Sequence, residues 1–309
     1  MNETYHIPVL LSEIIDLLSI KPDGIYVDAT LGGGGHFWEI ASKLGAGGTM
    51  IGIDRDADAI AESKTRQSSS GARIIIEQAP FDKFDEVLDR NGITQIDGLL
   101  MDLGLSSHHI DEPQRGFSYM HSGNLDMRMD QTQALTAAVL LRTFDAEQLA
   151  HILWAYGEVT GSRRMAAVIK KHLETAPIDT TADLVNCLTK EYGNNVSVSL
   201  FAKVFQALRI AVNDELGQLQ NCLGKVCARL KTAGRIAVIS YHSLEDRIVK
   251  NFIREKETDC ICNPRFPVCV CGTVPVLKRV TKKAVFPGES EVARNRRSRS
   301  ARLRVAQRV

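Results

Sequence analysis

The chain has 309 residues with a formal net charge of +1 at pH 7, and 44% of its residues are hydrophobic. This composition is ordinary for a soluble globular protein, and no apolar run approaches the roughly 18 residues that span a bilayer. The N-terminal residues lack the basic and apolar regions of a secretory signal. We therefore expect about two domains, a cytoplasmic location and no membrane partner, with the cysteines as thiols or ligands rather than disulfides.

Strands and helices alternate through the first hundred residues, after an amphipathic helix predicted over 8–20. The predicted strands lie at 25–29, 49–54, 74–78 and 96–102. The helices between them are predicted to begin near His36, Asp56 and Phe84. Such alternation is typical of a parallel sheet.

The alternation stops after the fourth strand and returns near residue 200. Only helical patterns occupy the interval; then follow a long helix from about Leu200, a strand at 235–240, a helix at 244–256 and a last strand at 301–306. We predict one discontinuous α/β sheet domain, residues 1–108 and 201–309, interrupted by a helical insertion, residues 109–200. The insertion leaves the carboxyl edge of the sheet, where doubly wound folds bind ligands, so we expect it to wall the active site.

A glycine turn follows the first strand and is the most informative local pattern. Gly32 to Gly35 lie between the strand and a helix that begins near His36, an arrangement typical of nucleotide-binding turns. The dinucleotide pattern fails in both registers, because Phe37 or Trp38 stands where a small residue is required. A P-loop fails as well, since no Gly-Lys-Ser/Thr follows.

Two acids mark the ends of the first two strands, Asp28 and Asp54. A carboxylate beside a glycine turn without a phosphate-binding lysine suits a ligand that has a ribose and no phosphates. The pattern resembles the S-adenosylmethionine (SAM) pocket of Rossmann-like methyltransferases. The alternative is a glycine-rich turn that binds nothing.

Positive charge is concentrated at the C-terminus. Residues 278–309 carry a net charge of +9, which leaves the other 277 residues near −8. Such asymmetry indicates an anionic partner, for which a polynucleotide is the usual candidate. The alternative is a solvated, arginine-rich terminal strand.

Four cysteines form a C-x-C-x₆-C-x-C pattern: Cys260, Cys262, Cys269 and Cys271. Four thiolates brought together by a hairpin would suit structural zinc. The spacing differs from the usual C-x₂-C knuckle, so we expect a reduced, partly buried loop and no metal in the site.

Several further motifs occur in a fixed order along nearly the whole chain. They are His6-Ile-Pro-Val-Leu, Asp28-Ala-Thr-Leu-Gly-Gly-Gly-Gly-His36, Asp102-Leu-Gly-Leu-Ser-Ser107, Arg115-Gly-Phe-Ser-Tyr119, Leu125-Asp-Met-Arg-Met-Asp130, Tyr156-Gly-Glu158, Phe205-Gln-Ala-Leu-Arg-Ile-Ala-Val-Asn213, Tyr241-His-Ser-Leu-Glu-Asp-Arg247 and Asn295-Arg-Arg-Ser-Arg-Ser300. Together they resemble the bacterial small-subunit rRNA cytosine-N4 methyltransferase family, RsmH or MraW. The resemblance implies a SAM-dependent enzyme with an inserted helical domain. It also implies methylation of the exocyclic N4 of one cytidine in the decoding region of 16S rRNA, near the P site. A homodimer stays open as an assembly state.

The resemblance also implies which residues contact the cofactor. The positions that match the family's cofactor contacts are Gly34, Gly35, His36, Asp54, Phe81, Asp102 and His109. The alternatives are a core aromatic for Phe81 and an exposed loop histidine for His109.

The cytosine amine is a poor nucleophile because its lone pair is delocalised into the ring. Catalysis needs hydrogen-bond acceptors on the NH₂, in-line positioning of the methyl carbon and a destination for the released proton. Asp102 and His242 are the candidate catalytic residues, each just beyond a strand at the carboxyl edge. The prolines and aromatic that follow the equivalent acid in many amino-methyltransferases are missing, so Asp102 could contact only the cofactor. Phe117, Tyr119 and Tyr241 are candidates to stack on the base.

Several polar residues have two open interpretations. Asp126, Arg128 and Arg115 could bind RNA or form an internal salt-bridged loop, and Arg209 and Asn213 share one helix face. Ser243 could cap the following helix with Asp246 at its N3 position. Arg163 and Arg164 are candidate phosphate contacts.

Two other classes of function remain open from the sequence. A nicotinamide oxidoreductase is disfavoured by both failed glycine registers. A nonenzymatic RNA-binding assembly factor would retain the basic C-terminus without methyl transfer. Among methyltransferases, an adenine or a protein amine is the alternative acceptor.

Overall fold

The computed structural model describes residues 8–66, 70–193, 197–260, 262 and 270–309. The chain divides into two compact units, one formed by 1–104 with 217–309 and the other by 105–216. In the part of the chain that the structure describes, none of the helices combines the length and apolarity that a bilayer crossing requires.

The first unit is a seven-stranded mixed sheet with helices on both faces, which confirms the predicted α/β class. Its strands are β1 (Ile25–Asp28), β2 (Thr49–Asp54), β3 (Arg73–Gln78), β4 (Ile96–Asp102), β5 (Leu230–Ser240), β6 (Leu277–Arg279) and β7 (Arg302–Arg308). Its helices are α1 (Leu11–Leu18), α2 (Gly35–Ser42), α3 (Ala57–Lys64), α4 (Phe84–Arg90), α11 (Glu215–Arg229, which starts two residues before this unit), α12 (Ser243–Glu257) and α13 (Glu289–Arg294).

The strand order is β3-β2-β1-β4-β5-β7-β6. The first five strands are parallel, and β7 runs antiparallel to both β5 and β6. The order reverses next to β1, so β1 and β4 flank a switch point, where open α/β sheets bind ligands at their carboxyl ends. Residues 50–53 of β2 are buried and carry no polar side chain, as expected for a sheet covered on both faces.

One apolar cluster lies on each face of this sheet. Phe84 and Leu88 of α4 pack with Val226 of α11 in one cluster. Ile14 of α1 and Phe37 of α2 belong to the other. The two faces therefore hold the carboxyl ends of the strands in fixed positions.

The second unit is helical, with α5 (Ser107–Asp111), α6 (Ala137–Thr143), α7 (Ala146–Gly157), α8 (Ser162–Leu173), α9 (Thr181–Tyr192) and α10 (Val198–Asn213). It has its own apolar core, to which α7 contributes Leu149 and Leu153 and α10 contributes Val204 and Leu208.

The boundaries of this unit differ from the predicted insertion, residues 109–200. The unit ends at 216 because α10 packs its apolar face into the helical core. The long helix predicted from Leu200 is in fact two, since Asp214 adopts a left-handed conformation (φ 48°) that ends α10. The amphipathic pattern continues across Asp214, so periodicity alone did not reveal the break.

Candidate functional site at the carboxyl edge of the sheet

The glycine turn after β1 is tied to the end of β2 by the Asp54 carboxylate. The Gly32 N–H donates to Asp54 Oδ2 over 2.8 Å, and the Asp56 N–H donates to Oδ1 over 2.9 Å. The Asp56 side chain in turn caps α3 by accepting from the Asp58 N–H. The predicted acid therefore lies directly beside the predicted glycine turn.

Close packing explains two of the glycines. Gly34 has a positive φ of 74°, and a Cβ there would lie 2.9 Å from the Trp38 ring and 3.0 Å from Ser63 Oγ. A Cβ on Gly35 would lie 3.1 Å from the Pro8 ring. The chain at this turn consequently tolerates no side chain without local displacement.

Phe81 lies one strand further along the same edge. It begins a 3₁₀ turn (Phe81–Lys83) two residues after the Ala79 N–H, which donates to the Asp54 carbonyl oxygen over 2.9 Å. Its half-buried ring packs against the α4 side of the core. Phe81 is thus near Asp54 in the fold. Its ring also packs against the core, as expected if Phe81 were only a core aromatic residue.

Asp28 is buried beneath the turn and is 1% exposed. Its Oδ1 accepts the Thr30 N–H over 3.1 Å. Burial raises the pKa of Asp28 to about 7, an effect that the nearby His36 opposes. Thr30 also accepts the Asp102 N–H through its hydroxyl over 2.6 Å, so it connects the ends of β1 and β4.

Asp102 lies between an aromatic hydroxyl and an imidazole. The Tyr241 hydroxyl donates to Asp102 Oδ1 over 2.9 Å, and His36 Nδ1 lies 3.6 Å from Oδ2. Burial and then the Asp102 charge raise the pKa of Tyr241 well above its usual value, so this residue is a neutral donor. The predicted catalytic acid therefore accepts a hydrogen bond from Tyr241 and lies beside the His36 ring.

His36 bridges the site to the start of the described chain. Its Nε2 is 2.9 Å from the Val9 carbonyl oxygen. Burial lowers the pKa of His36, although Asp28 opposes the shift. A neutral ring that donates from Nε2 leaves Nδ1, on the Asp102 side, as the acceptor nitrogen.

His242 follows β5 at the same edge, since Asp102 is paired with Ile239 in the neighbouring strand. Its Nε2 lies 3.1 Å from Glu245 Oε1 without the alignment of a hydrogen bond, and both ring nitrogens are buried without a hydrogen-bond partner among the described residues. Buried polar groups are rarely left in this state. The ring is therefore suited to a bound group.

The start of α12 differs from the capping proposal in the sequence. His242, not Ser243, precedes the first helical residue, and Glu245 at N3 accepts the Tyr241 and His242 N–H groups over 2.8 and 3.3 Å. Asp246 instead pairs with Arg304 of β7, Nε to Oδ1, over 2.7 Å. Glu245 thus fixes the segment that carries the two candidate site residues.

His109 belongs to the helical unit. Its Nδ1 accepts the Ser106 N–H over 3.3 Å, and its ring is 5.1 Å from that of Phe117. It is buried, so the alternative of an exposed loop histidine is wrong. Its cofactor contact stays a prediction. Phe117 and Tyr119 lie in or against the same helical core, where Tyr119 packs on Phe201 and Phe205.

The polar loop of the helical unit is internally bonded. Arg128 pairs with Asp126, with 2.7 Å between Nη2 and Oδ2, and the buried Arg115 donates to the Met129 carbonyl over 3.0 Å. Asn213 accepts the Met129 N–H over 2.8 Å, and Arg209 pairs with Glu215 over 2.8 Å. These contacts give the residues structural roles within their unit.

The seven arginines from Arg294 onwards divide into two groups. Arg302, Arg304 and Arg308 lie in β7, where the first two face Asp246 and Arg308 donates to the Leu230 carbonyl over 2.6 Å. The exposed arginines precede β7: Arg294, Arg296, Arg297 and Arg299. Because β7 is antiparallel and Arg302 is paired with Ser240, these arginines lie at the carboxyl edge, beside Tyr241.

Three of the four patterned cysteines lie within the described residues, and Cys269 lies outside them. The Sγ atoms of Cys260, Cys262 and Cys271 are all within 4.8 Å of one another. This loop lies between α12 and β6, away from the carboxyl edge.

Sequence reasoning missed two supporting residues of the site. Both stand inside motifs that were recognised. Thr30 contacts Asp102, which is 72 positions away, whereas Glu245 accepts N–H groups only three and four residues away, and its N3 position was the signal that could have revealed it. Tyr241 was recognised only as a candidate for base stacking, whereas its hydroxyl contacts Asp102.

Comparisons with known proteins agree over the whole chain. Residues 3–309 match the family described as the MraW methylase family. The chain is 41% identical to ribosomal RNA small subunit methyltransferase H of Fusobacterium nucleatum, covering 100% of this chain and 98% of that protein. It is 45% identical to the protein of the same name from Geotalea uraniireducens, covering 100% of both chains. Among solved structures, an rRNA methylase from Streptococcus thermophilus superposes with a TM-score of 0.44 at 11% identity, covering 98% of this chain and 99% of that one.

Proposed function

The chain belongs to the MraW methylase family, and we propose that it transfers a methyl group from SAM to the exocyclic N4 of one cytidine in 16S rRNA. The names of its relatives support methyl transfer to small-subunit ribosomal RNA. The motifs that resemble the cytosine-N4 methyltransferases support the choice of N4 and a cytidine in the decoding region, near the P site. Such a substrate places the enzyme in the cytoplasm, where ribosomal subunits are assembled.

The observation that carries the proposal is the position of Asp102. The acid ends β4 at the switch point of the sheet, and its carboxylate is held by Tyr241 at 2.9 Å beside the glycine turn. A carboxylate oxygen at that point can accept an N–H of an amine. The cofactor turn and the amine acceptor would then lie on one edge.

The residues of this edge fit SAM. Asp54, which ends β2 and accepts a hydrogen bond from the Gly32 N–H, would accept hydrogen bonds from the ribose hydroxyls. Gly34 and Gly35 carry no Cβ, so the ligand could approach the backbone of the turn closely. Phe81 would lie beside the adenine. The buried ring nitrogens of His242, which have no hydrogen-bond partner among the described residues, are polar atoms that a bound group could satisfy.

SAM supplies a methyl carbon whose bond to sulfur breaks as the bond to N4 forms, which leaves S-adenosylhomocysteine. Asp102 accepts one N–H of the amine and so favours the pyramidal geometry in which the lone pair is available. Tyr241 keeps the Asp102 carboxylate oriented and, as a neutral donor, stabilises its charge. His242, which follows β5 at the same edge, would take the proton that N4 loses.

The exposed arginines before β7 are suited to bind the RNA backbone. Arg294, Arg296, Arg297 and Arg299 lie at the carboxyl edge, where a phosphate contact positions RNA without reading its sequence. A cytidine in structured RNA would still need to be unstacked to reach Asp102. We assign substrate recognition to the helical unit as well, where Arg163 is exposed on α8.

Labelled methyl transfer to small subunits from a strain that lacks this gene tests the proposal. Digestion to nucleosides and mass spectrometry identify the acceptor. We expect N4-methylcytidine with the intact enzyme and none with Asp102→Ala. Asp16→Ala, an exposed carboxylate of α1, is the matched control and should retain activity.

Three other outcomes would redirect the assignment. Methylation of adenine or of a ribosomal protein would retain the methyltransferase and overturn the N4 acceptor. Subunit binding that persists without methyl transfer would favour an assembly factor. A homodimer, which sedimentation can detect, stays a prediction independent of the chemistry.

A further inference from the structure

Three thiols converge in the loop between α12 and β6. Cys260 lies three residues after the end of α12, and Cys271 lies six residues before β6. The Sγ atoms of Cys260, Cys262 and Cys271 all lie within 4.8 Å of one another, and those of Cys260 and Cys271 are 4.0 Å apart. The three belong to one unit of the chain and lie outside the methyl-transfer site.

The spacing of the sulfurs matches a metal better than a disulfide. A Zn–S bond is about 2.3 Å, so two thiolates on tetrahedral zinc lie about 3.8 Å apart. A disulfide requires about 2.05 Å between the sulfurs, roughly half of the observed 4.0 Å. Sulfur ligands also select soft ions such as zinc and exclude Mg²⁺ or Ca²⁺.

The local chain geometry explains how the thiols meet. Cys260 and Cys262 are two residues apart in the sequence, and Cys271 approaches Cys260 to 4.0 Å between the Sγ atoms. Cys271 is followed by Gly272 with φ 61°, a conformation that turns the chain at little steric cost to glycine. A C-x-C pair opposite a cysteine–glycine turn can therefore surround one ion.

Hydrogen bonds join the end of the loop near β6 to the end of α12, where the loop begins. The Val276 N–H donates to the Lys256 carbonyl over 2.8 Å, and the Arg279 N–H donates to Glu257 Oε1 over 3.1 Å. The intervening chain must return to the end of α12, which raises the effective concentration of the thiols.

The position of the loop assigns the ion a structural role. Helix α12 begins just after β5 at the carboxyl edge, is 15 residues long and leads away from that edge. Strand β6 starts at the opposite edge, because it is antiparallel to β7. An ion held there is separated from Asp102 by the length of the sheet and cannot take part in methyl transfer.

We propose that Cys260, Cys262 and Cys271 bind one structural Zn²⁺ that fixes the connection between α12 and β6. This assignment replaces the metal-free loop favoured by the cysteine spacing alone. Each thiol loses a proton when its Zn–S bond forms, so binding releases protons and weakens at low pH. Because the ion cross-links residues on both sides of the loop between α12 and β6, its removal lowers stability.

Metal analysis of the full chain, purified under reducing conditions, tests the proposal. We expect about one zinc per chain, falling below about one fifth in the double variant Cys260→Ser/Cys271→Ser. Cys227→Ser is the matched control: Cys227 is also free and only partly buried, but it lies on α11, and its variant should keep the zinc of the wild type.

Cobalt substitution of the wild type gives a second measurement that does not depend on the variants folding. Thiolate-to-cobalt charge-transfer bands and intense tetrahedral d–d bands would support the site. Three results would each overturn the proposal. The purified protein could contain no zinc and give no such bands with cobalt, the cysteines could form a disulfide after purification without oxidant, or Cys227→Ser could lose as much zinc as the double variant. Methyl transfer is measured on the same samples, and its result tests the proposed function independently of the metal site.

Discussion

Asp102 has two protein neighbours that differ in what they contribute. Tyr241 donates a hydrogen bond to one carboxylate oxygen, while His36 lies 3.6 Å from the other. Because burial lowers the pKa of His36, its ring is mostly neutral at pH 7 and adds little positive charge. The Tyr241 hydroxyl is therefore the contact that holds Asp102 in a defined orientation.

Tyr241→Phe removes that contact with little change in shape. A hydrogen bond to a charged group is worth about 1.5–3 kcal/mol, so we expect kcat to fall about 10- to 100-fold. The KM for SAM should change little, because the assigned cofactor contacts remain. Steady-state kinetics on small subunits measure both constants, and Tyr192→Phe, on α9 of the helical unit, serves as the matched control. An unchanged kcat would remove Tyr241 from the mechanism.

Asp28 makes stability depend on pH in an unusual direction. Its folded pKa of about 7 exceeds the value of about 3.9 for an unfolded aspartate. Between these values the folded chain holds a proton that the unfolded chain releases, so the contribution to stability is present at low pH and is lost as pH rises towards 7.

Asp28→Asn should remove this dependence. From pH 5 to 7.5 the free energy of unfolding of the wild type should fall relative to the variant by about 2–3 kcal/mol. Urea unfolding of both proteins measures the difference, in which contributions of groups that do not interact with Asp28 largely cancel. The exposed Asp16 is the control. If the free energy of unfolding of the wild type fell by the same amount relative to Asp16→Asn between pH 5 and 7.5, burial of Asp28 would not be the cause.

At the scale of elements, Asp246 joins α12 to β7. Burial alone would raise the pKa of Asp246, but Arg304 and Arg302 together hold it below its usual range. The Arg304 guanidinium donates to both carboxylate oxygens, over 2.7 and 3.1 Å. This pair fixes the helix that begins at the Tyr241–His242 segment.

Asp246→Asn should lower the free energy of unfolding by about 2–3 kcal/mol, because it leaves the partly buried Arg304 without its charged partner. Glu255→Gln, which affects an exposed pair with Lys256, should change it by less than about 0.5 kcal/mol. Chemical denaturation of the wild type, Asp246→Asn and Glu255→Gln measures the three free energies of unfolding. Equal effects of the two substitutions would show that the Asp246 pair adds nothing to stability.

For the molecule as a whole, the excess of positive charge is less available than its sequence count of +9 for residues 278–309 indicates. Arg302, Arg304 and Arg308 are used within the sheet domain. The exposed arginines just before β7 lie at the edge that carries the proposed chemistry.

Arg296→Gln/Arg299→Gln should weaken binding to small subunits without changing sequence preference. Loss of two phosphate contacts should reduce the slope of log K against log salt by about 1 to 2. Arg73→Gln/Arg90→Gln removes two exposed cations from the opposite edge of the sheet and should leave the slope unchanged. Equal slopes for both double variants would argue against the Arg294–Arg299 segment as an RNA contact.

Much of the sheet domain could be predicted from local pattern. Apolar strands ending in Asp28, Asp54 and Asp102 were located because each is a short buried run followed by an acid and a turn. The short β6 and α13 were missed, since three to six residues carry no periodicity. The break at Asp214 was missed because the apolar stripe continues through it.

The sequence by itself determined the α/β class, the glycine turn, the acids at the strand ends and the family resemblance, because these depend on residues close together in the chain. Only the tertiary structure decided that Tyr241 contacts Asp102, 139 positions away. It also decided that Asp246 pairs with β7 rather than capping α12, and that three thiols converge at the opposite edge. The Tyr241–Asp102 and Asp246–Arg304 contacts join groups distant in sequence, and the order and direction of the strands bring them together. The thiols are close in sequence, but the cysteine spacing alone did not establish that their side chains meet.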